Sequence, residues 1–167
     1  MNQPDTIQFT NLIEANKGIL YKVCNNYCKD PSKRDDLTQE ILIQLWKSLS
    51  SWDAKFPFST WMYRVALNVA ISHYRKEKNL LTPETLDEQA IQVAGDNDNC
   101  TEKEEKLHQL QRLINQLKAL DKALMLLYLD GKSYQEIGLI LGITQTNVAT
   151  KISRIKEQLK QSFSKIS

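Results

Sequence analysis

Glycine and proline are scarce in this 167-residue sequence, with five and four residues respectively. An all-β protein needs tight turns between its strands, so this shortage argues against one. Histidine is scarcer still, since His73 and His108 are the only two and stand far apart in the sequence. The three cysteines are an odd number without a framework spacing, which favours a reduced compartment over a disulfide scaffold.

The sequence also lacks a long apolar run. The longest, Ala123–Leu129, has seven residues, whereas a membrane span needs about 20. The first residues, Met1–Asp5, have neither the basic region nor the apolar region of a signal peptide. We therefore expect no membrane insertion and a cytoplasmic location.

A strong net charge is missing as well, because 22 basic and 20 acidic residues leave only +2. The charges are nevertheless segregated along the chain. Residues 1–80 carry a net +3, residues 81–104 carry −6 and residues 105–167 carry +5. Two basic blocks thus flank an acidic one, and a basic block is a candidate for contact with nucleic acid.

Apolar residues recur at helical spacing along most of the chain, and no segment alternates as a strand would. We therefore predict an all-α fold of two small helical domains joined by a flexible acidic linker. The predicted domains are residues 1–80 and residues 102–167, with the linker at residues 81–101. The predicted helices are approximately Thr6–Cys28, Lys33–Ser48, Ser59–Lys78, one opened by a capping box at Thr101–Glu104, Asp121–Leu129, Ser133–Leu141 and Gln145–Gln161.

The last two of these helices have the pattern of a helix-turn-helix. Ser133–Glu136 fits a second capping box at the start of the short helix. Gly142 supplies a sharp turn, and Thr144 can cap the helix that follows. Two helices joined by so short a turn are typical of DNA-binding proteins.

The second helix of this motif has two distinct faces. Its apolar stripe consists of Val148, Ile152, Ile155 and Leu159. Its polar side carries Gln145, Thr146, Asn147, Thr150, Lys151, Arg154 and Gln158. Amides, hydroxyls and basic groups read base edges and hold phosphates. An ordinary amphipathic helix with a solvated face is the alternative, but the capped first helix, the glycine turn and a net +4 over residues 131–167 favour DNA binding.

The segment Trp52–Phe58 and the helix after it interleave aromatic and basic residues. These are Trp52, Phe56, Phe58, Trp61, Tyr63 and Tyr74, with Lys55, Arg64, Arg75, Lys76 and Lys78. Such a mixture is typical of single-stranded DNA binding, in which bases stack on rings while cations follow the backbone. Core packing is the alternative for these rings. It is favoured for Trp61, whereas Phe56 lies in a loop and is expected to be exposed.

The helix predicted over Lys33–Ser48 has more apolar residues than one stripe requires. Its core positions would be Leu37, Ile41 and Leu45. Ile43 would then point outward among Asp36, Gln39, Glu40 and Lys47. A polar face with an apolar centre suits a partner helix, although a single exposed isoleucine is also normal at a protein surface.

No motif of an enzyme is present. The sequence has no glycine-rich phosphate loop, no nucleophile elbow and no metal-spaced histidines, so we expect no catalytic residue, metal or cofactor. Cys24 and Cys28 share a helix face and could bind a metal or sense oxidants. Packing as small core residues is the more common role of such cysteines.

Two parts of the chain resemble regions 2 and 4 of extracytoplasmic-function (ECF) sigma factors, the small two-domain members of the bacterial sigma-70 family. The resemblance to region 2 is carried by Asp36–Glu40, Phe58–Ala66 and Asn68. The resemblance to region 4 is carried by Tyr134–Gly138, Leu141–Ile143 and Asn147–Lys156.

This resemblance implies a subunit that gives RNA polymerase its promoter specificity. The first domain would dock on the β′ clamp helices of core polymerase through Asp36, Gln39, Glu40 and Ile43, and the polymerase β flap would be a further contact. The same domain would recognise and melt the −10 element, capturing a flipped base, through Lys55, Phe56, Phe58, Ser59, Thr60, Trp61, Arg64, Asn68 and Arg75. The last domain would read the −35 element of promoter DNA through Thr144, Gln145, Thr146, Asn147, Thr150, Lys151, Arg154 and Lys156. An anti-sigma factor is a common partner in the family, although no residue here specifies one.

A helix-turn-helix regulator that binds duplex DNA without joining polymerase is the alternative function. Such regulators often end in a similar module, so the C-terminal motif does not separate the two functions. The motifs at Asp36–Glu40 and Phe58–Asn68 favour the sigma factor.

Overall fold

All regular structure in the computed structural model is helical over the residues that it describes, 5–80 and 101–166. The helices are α1 (Thr6–Ala15), α2 (Lys17–Tyr27), α3 (Pro31–Ser48), α4 (Phe58–Leu80), α5 (Glu102–Asn115), α6 (Ala119–Leu129), α7 (Tyr134–Leu141) and α8 (Gln145–Ile166), with a 3₁₀ turn at Leu49–Ser51. The all-α prediction is therefore confirmed. The predicted linker falls on residues outside the described ranges, apart from Thr101. None of the described helices has the length and apolar character of a membrane span.

Local hydrogen bonds explain where several helices begin. Asp30 caps α3 by accepting a hydrogen bond from the backbone N–H of Ser32 at 3.0 Å, and Pro31 occupies the first helical turn. At α5 the predicted capping box is present. The N–H of Glu104 donates to Oγ1 of Thr101 at 3.3 Å, and the N–H of Thr101 donates to Oε2 of Glu104 at 3.1 Å.

The prediction of one helix over Thr6–Cys28 is wrong, because the chain breaks at Asn16 into α1 and α2. Asn16 has φ −122° and ψ 17°, outside the helical region. Its side-chain amide donates to the carbonyl of Leu12 at 2.9 Å, and its backbone N–H donates to the carbonyl of Ile13 at 3.1 Å. These bonds end α1, and α2 begins at Lys17.

The N-terminal half is a bundle in which α4 packs against both α2 and α3. The stripe predicted on α3 is its buried face, since Leu37, Ile41 and Leu45 are fully buried. Val23 of α2 and Met62 of α4 belong to the same core and are fully buried as well. Burial of such side chains, at about 1.5–3 kcal/mol each, is the main stabilisation of the bundle.

The C-terminal half is built around α6 and α8. Helix α8 packs against α5, α6 and α7, and its apolar stripe is buried as predicted. The residues of α6 from Lys122 to Leu127 are all buried. A helix buried on so many sides must have neighbours on more than one face. On its other side α6 lies against α2 and α4 of the N-terminal half, and α7 also contacts α4.

Candidate nucleic-acid interface

The predicted helix-turn-helix is formed by α7 and α8. Oγ of Ser133 accepts a hydrogen bond from the N–H of Glu136 at 3.1 Å and caps α7. Gly142 ends α7 in the left-handed region, with φ 72° and ψ 34°, which is why glycine is needed there. Oγ1 of Thr144 accepts from the N–H of Asn147 at 3.1 Å and caps α8.

A second glycine fixes how closely the two helices approach. Gly138 is buried in α7, and a Cβ at this position would lie 2.7 Å from the carbonyl oxygen of Ile143. The carbonyl of Gly138 also accepts hydrogen bonds from the N–H groups of Gly142, at 2.8 Å, and Ile143, at 3.1 Å. The turn therefore folds back directly onto α7 with no room for a side chain.

The outward face of α8 carries most of the polar side chains that the sequence singled out. At about 100° per residue, Asn147, Thr150 and Arg154 lie on one side of the helix. They are exposed, as are Thr144, Gln145 and Thr146, while Lys151 is half-buried. The opposite stripe is buried against the helical core. Amide, hydroxyl and guanidinium groups thus project together from a rigid helix, as contacts to bases and phosphates require.

Lys156 differs from the other predicted residues of this helix. Its Nζ donates to the hydroxyl of Tyr128 at 2.6 Å and lies 4.1 Å from the centre of that ring. Helical geometry places it about 160° around the helix from Arg154. The structure therefore does not bring Lys156 together with Asn147 and Arg154.

The segment before α4 is an ordered turn. The N–H groups of Lys55 and Phe56 both donate to Asp53, at its Oδ1 and its carbonyl, each at 3.0 Å. Nε1 of Trp52 donates to the carbonyl of Phe56, also at 3.0 Å. Phe56 is 44% exposed at the tip of this turn, as the sequence predicted. A ring held outward by a rigid turn can stack on a base at little cost in entropy.

Phe58 is placed differently, because it is only 7% exposed. Its ring contacts Trp52 edge-on at 5.3 Å and Trp61 at 5.4 Å, between centroids. Trp61 is half-buried. The rings of Trp52, Phe58 and Trp61 pack beneath the Phe56 turn. Phe58 therefore supports the surface around Phe56 and is not itself exposed.

The outer side of α4 continues this surface. Arg64, Asn68 and Arg75 are exposed and follow one another at steps of four and seven residues, which puts them along one line of the helix. Lys55 is exposed beside the turn, and Ser59 and Thr60 are half-buried in the first turn of α4. Two guanidinium groups, an amide and an exposed ring thus share one surface, which suits a single strand of nucleic acid.

A separate surface lies on α3. Asp36, Gln39 and Glu40 are exposed, and Ile43 is 54% exposed at the centre of the face. One turn further along, the exposed ring of Trp46 contacts Phe9 of α1 edge-on at 5.1 Å. The apolar centre is therefore larger than a lone isoleucine, because Trp46 and Phe9 belong to it. Helical spacing alone does not place these two residues on the face.

A cluster of polar side chains lies between the two halves, and the sequence did not predict it. The hydroxyl of Tyr63 donates to Oδ2 of Asp130 at 2.6 Å, and Nζ of Lys22 donates to Oδ1 of the same carboxylate. Burial alone would raise the pKa of Asp130, but the hydrogen bonds from Lys22 and Tyr63 lower it. Burial and the bond to Asp130 raise the pKa of Tyr63.

Near the start of α6, the contact between the halves includes a buried cation. Lys122 is 2% exposed, and its Nζ lies 4.6 Å from the ring centre of Tyr74 and 5.4 Å from that of Tyr27. Burial, followed by the charges of Lys29 and Lys78, lowers its pKa to about 8. The hydroxyl of Tyr27 donates to the carbonyl of Ala119 at 2.7 Å. No sequence signal marks these residues, because each lies on an ordinary amphipathic or apolar stretch.

Cys24 of α2 and Cys28, the residue that follows α2, are core residues. Sγ of Cys24 lies 3.2 Å from Oγ1 of Thr38, and Sγ of Cys28 is 3.6 Å from the carbonyl of Asp30. Burial raises the pKa of both thiols, which makes them poor nucleophiles. Within residues 5–80 and 101–166 no group of three or more potential ligands is positioned to hold a metal ion.

Two family models match this sequence. Residues 12–80 match Sigma-70 region 2, and residues 107–159 match Sigma-70, region 4. The ECF RNA polymerase sigma factor SigW of Bacillus subtilis (strain 168) is 30% identical over 169 residues, which cover 94% of this chain and 89% of that protein. The ECF RNA polymerase sigma-E factor of Escherichia coli (strain K12) is 30% identical over 136 residues, covering 74% of this chain and 70% of the other.

Solved structures have the same fold. CnrH, in complex with the cytosolic domain of CnrY, gives a TM-score of 0.70 at 18% identity, covering 98% of this chain and 92% of the other. The sigma factor RpoE of Bartonella quintana, in complex with the anti-sigma factor NepR, gives a TM-score of 0.68 at 19% identity, covering 96% and 98%.

Proposed function

Since this chain belongs to the sigma-70 family as an ECF RNA polymerase sigma factor, we propose that it binds core RNA polymerase and starts transcription at promoters with −35 and −10 elements. The observation that carries the proposal is the presence, on one chain, of a helix-turn-helix and a separate surface with an exposed aromatic turn. Sigma factors act as initiation subunits and not as enzymes. The alternative of a polymerase-independent regulator is not favoured, because residues 12–80 match region 2.

The −35 element is read by α8 in the major groove. Gln145 and Asn147 lie in its first turn, where a recognition helix contacts base edges, and an asparagine can bind adenine through two hydrogen bonds. Lys151 and Arg154 lie one and two turns further and hold phosphates. Thr144, Thr146 and Thr150 contribute hydroxyl groups.

The −10 element is melted and held by the Phe56 turn and the outer side of α4. Phe56 stacks on an unpaired base, while Arg64 and Arg75 follow the strand's phosphates and Asn68 offers its amide to a base edge. Lys55, Ser59 and Thr60 surround the turn and supply further contacts. Phe58 and Trp61 position it from beneath.

Core polymerase docks on the α3 face. Its apolar centre is formed by Ile43 together with Trp46 and Phe9. The exposed polar residues Asp36, Gln39 and Glu40 lie beside it, which matches the apolar core and polar rim of protein interfaces. The partner surface would be the β′ clamp helices, with a second contact between the C-terminal half and the β flap. An anti-sigma factor is a further partner of the kind seen with RpoE of Bartonella quintana.

We assign polymerase docking and −10 reading to residues 1–80 and −35 reading to residues 102–167, with residues 81–101 as the tether. The protein acts in the cytoplasm, where polymerase and promoter DNA are found.

Run-off transcription with purified core polymerase tests this function. We expect specific transcripts only when the protein is added to core enzyme, and we expect the two to co-purify. An Ile43→Arg variant should lose both activities while keeping the affinity of α8 for a −35 duplex, because Ile43 is remote from α8. Lys17→Glu, a change of charge at an exposed position on α2, is the control. Absence of any specific transcript with the wild-type protein would contradict the proposal.

A further inference from the structure

Three lysines lie close together near the start of α6. Lys122 is 2% exposed, and its Nζ lies 4.6 Å from the ring centre of Tyr74. Nζ of Lys78 lies 5.7 Å from the centre of the same ring, so two ammonium groups share one tyrosine. Lys29 comes two residues after Tyr27, the second ring beside Lys122. The charges of Lys29 and Lys78 both act on Lys122.

These cations have no counter-charge among residues 5–80 and 101–166, where every ion pair joins other groups. Glu77, which precedes Lys78, is paired with Lys33 at 3.2 Å. Asp121 is adjacent to Lys122 in sequence, but lies about 100° around α6 from it. Like charges that meet at a partly buried place repel one another, and burial of an unpaired charge is costly. A bound anion would reduce both costs.

The first turn of α6 adds hydrogen-bond donors at the same place. Its N-cap residue, Lys118, makes no side-chain capping bond, and the first N–H groups of a helix have no partner within the helix. The hydroxyl of Tyr27 donates to the carbonyl of Ala119 at 2.7 Å, and the centre of the same ring lies 5.4 Å from Nζ of Lys122. The buried ammonium group is therefore held beside the first turn, toward which helical side chains point.

We propose that Lys29, Lys78 and Lys122, with the first turn of α6, form a binding site for a phosphate group. A phosphate can accept charge-assisted hydrogen bonds from lysines and further bonds from the N–H groups of a helix start at the same time. Since Lys78 follows Arg75 of the outer α4 surface by three residues, a nucleic-acid backbone is one source of this group, and a small polyphosphate is the other. The site is a property of the free chain and does not depend on the proposed function.

Inorganic pyrophosphate is the probe for this phosphate site. It is titrated calorimetrically into the full-length chain at constant ionic strength, with sodium chloride as the blank for general screening. The variant Lys29→Gln/Lys78→Gln removes two exposed charges that are not part of the core, so it should fold. We expect the wild type to bind pyrophosphate and this variant to bind it about tenfold more weakly. Pyrophosphate should also raise the Tm of the wild type more than that of the variant.

Two further variants separate the site from general attraction of anions. Lys17→Gln/Lys160→Gln removes the same number of charges at exposed positions of α2 and α8, and should bind pyrophosphate within about twofold of the wild type. Lys122→Met removes the buried cation and should also weaken binding, without lowering the Tm measured in the absence of the anion. No binding by the wild type, equal losses in the two double variants, or unchanged binding by Lys122→Met would each overturn the site.

A labelled single-stranded oligonucleotide identifies the source of the phosphate. If the site holds a nucleic-acid backbone, Lys29→Gln/Lys78→Gln should bind the oligonucleotide about tenfold more weakly than the wild type, and pyrophosphate should displace it. If the site holds a small polyphosphate, both proteins should bind the oligonucleotide alike, and only pyrophosphate binding should be lost. Each of these results supports a phosphate site. Arg64→Ala should weaken binding of the oligonucleotide alone, and an equal loss for pyrophosphate would contradict the assigned position.

Discussion

Replacing Lys122 by methionine should make the protein more stable at neutral pH. The side chain is 2% exposed where α6 meets α2 and α4, and among the described residues no carboxylate forms an ion pair with it. Burial of a charge without a partner of opposite sign is costly. Methionine has a similar length and carries no charge, so it fills the same space without that cost.

The size of the effect follows from the pKa of Lys122, which burial lowers from 10.5 to about 8. At about 1.36 kcal/mol per pKa unit, keeping the group protonated at pH 7 costs the folded state about 3 kcal/mol. The ring faces of Tyr27 and Tyr74 offset about 1–2 kcal/mol. The methionine variant should therefore gain about 1–2 kcal/mol, or a rise in Tm of roughly 2–8 °C.

The stability difference between the methionine variant and the wild type should change with pH in a defined direction. Below about pH 8 both the folded and the unfolded protein hold the proton on Lys122, so the wild type carries the full cost. Between about pH 8 and 10.5 the folded state releases the proton while the unfolded state keeps it, and wild-type stability rises. The advantage of methionine should accordingly shrink through this window, and contributions from other groups cancel because both proteins share them.

Thermal unfolding followed by circular dichroism at pH 7, 9 and 10.5 measures this difference. Lys118→Met, an exposed lysine just before α6, is the control and should leave the Tm nearly unchanged at every pH. A lower Tm for Lys122→Met than for the wild type at pH 7 would refute the reasoning. An advantage that stays constant up to pH 10.5 would refute it as well.

Three further predictions concern the helix-turn-helix and the Phe56 turn. Gly138→Ala should destabilise the helix-turn-helix by about 1–3 kcal/mol, because its Cβ would lie 2.7 Å from the carbonyl of Ile143; an unchanged Tm would show that the turn can move away. Lys151→Ala and Arg154→Ala should each weaken binding to a −35 duplex and reduce the slope of log K against log salt by about 1, as loss of a phosphate contact does, and Lys160→Ala, on another side of α8, should change binding less. Equal losses in all three would show that the assigned face is wrong. Phe56→Ala should slow promoter opening, followed by permanganate reactivity of unpaired thymines, more than it weakens initial binding; equal effects on both steps would place the ring elsewhere.

The helix-turn-helix could be predicted from sequence because each of its elements has a local cause. Ser133 and Thr144 cap the helices through bonds three residues away, and Gly142 is needed for a left-handed turn. The stripe from Val148 to Leu159 follows from helical periodicity alone. The role of each of these residues depends on neighbours only a few positions away in the sequence.

The break at Asn16 does not follow from apolar periodicity, because the apolar stripe continues on both sides of it. Phe9 to Ile13 and Leu20 to Tyr27 fit one helical period, so periodicity alone gives one helix. The signal lay in the interval between them, where Asn16 and Gly18 interrupt the apolar residues. A polar side chain that bonds to its own backbone favours the end of a helix there.

The contact between the halves could not be predicted, because it joins residues far apart in the chain. Tyr63 and Asp130 are separated by 67 positions, and Lys122 reads as an ordinary polar residue before an apolar run. The burial of Phe58 has a similar origin, since Trp52 and Trp61 enclose it only once the turn has formed. Tertiary packing decides both, and it cannot be deduced from a short stretch of sequence.

The two glycines of the helix-turn-helix have a consequence for how the protein could be redesigned. The angle between α7 and α8 is set by backbone atoms, through the absent side chain at Gly138 and the left-handed turn at Gly142. The outward side chains of α8 play no part in setting that angle. The scaffold and the outward side chains are therefore separable. Under the proposed function, exchanging the polar side chains of residues 145–154 should change the promoter preference while the motif keeps its shape.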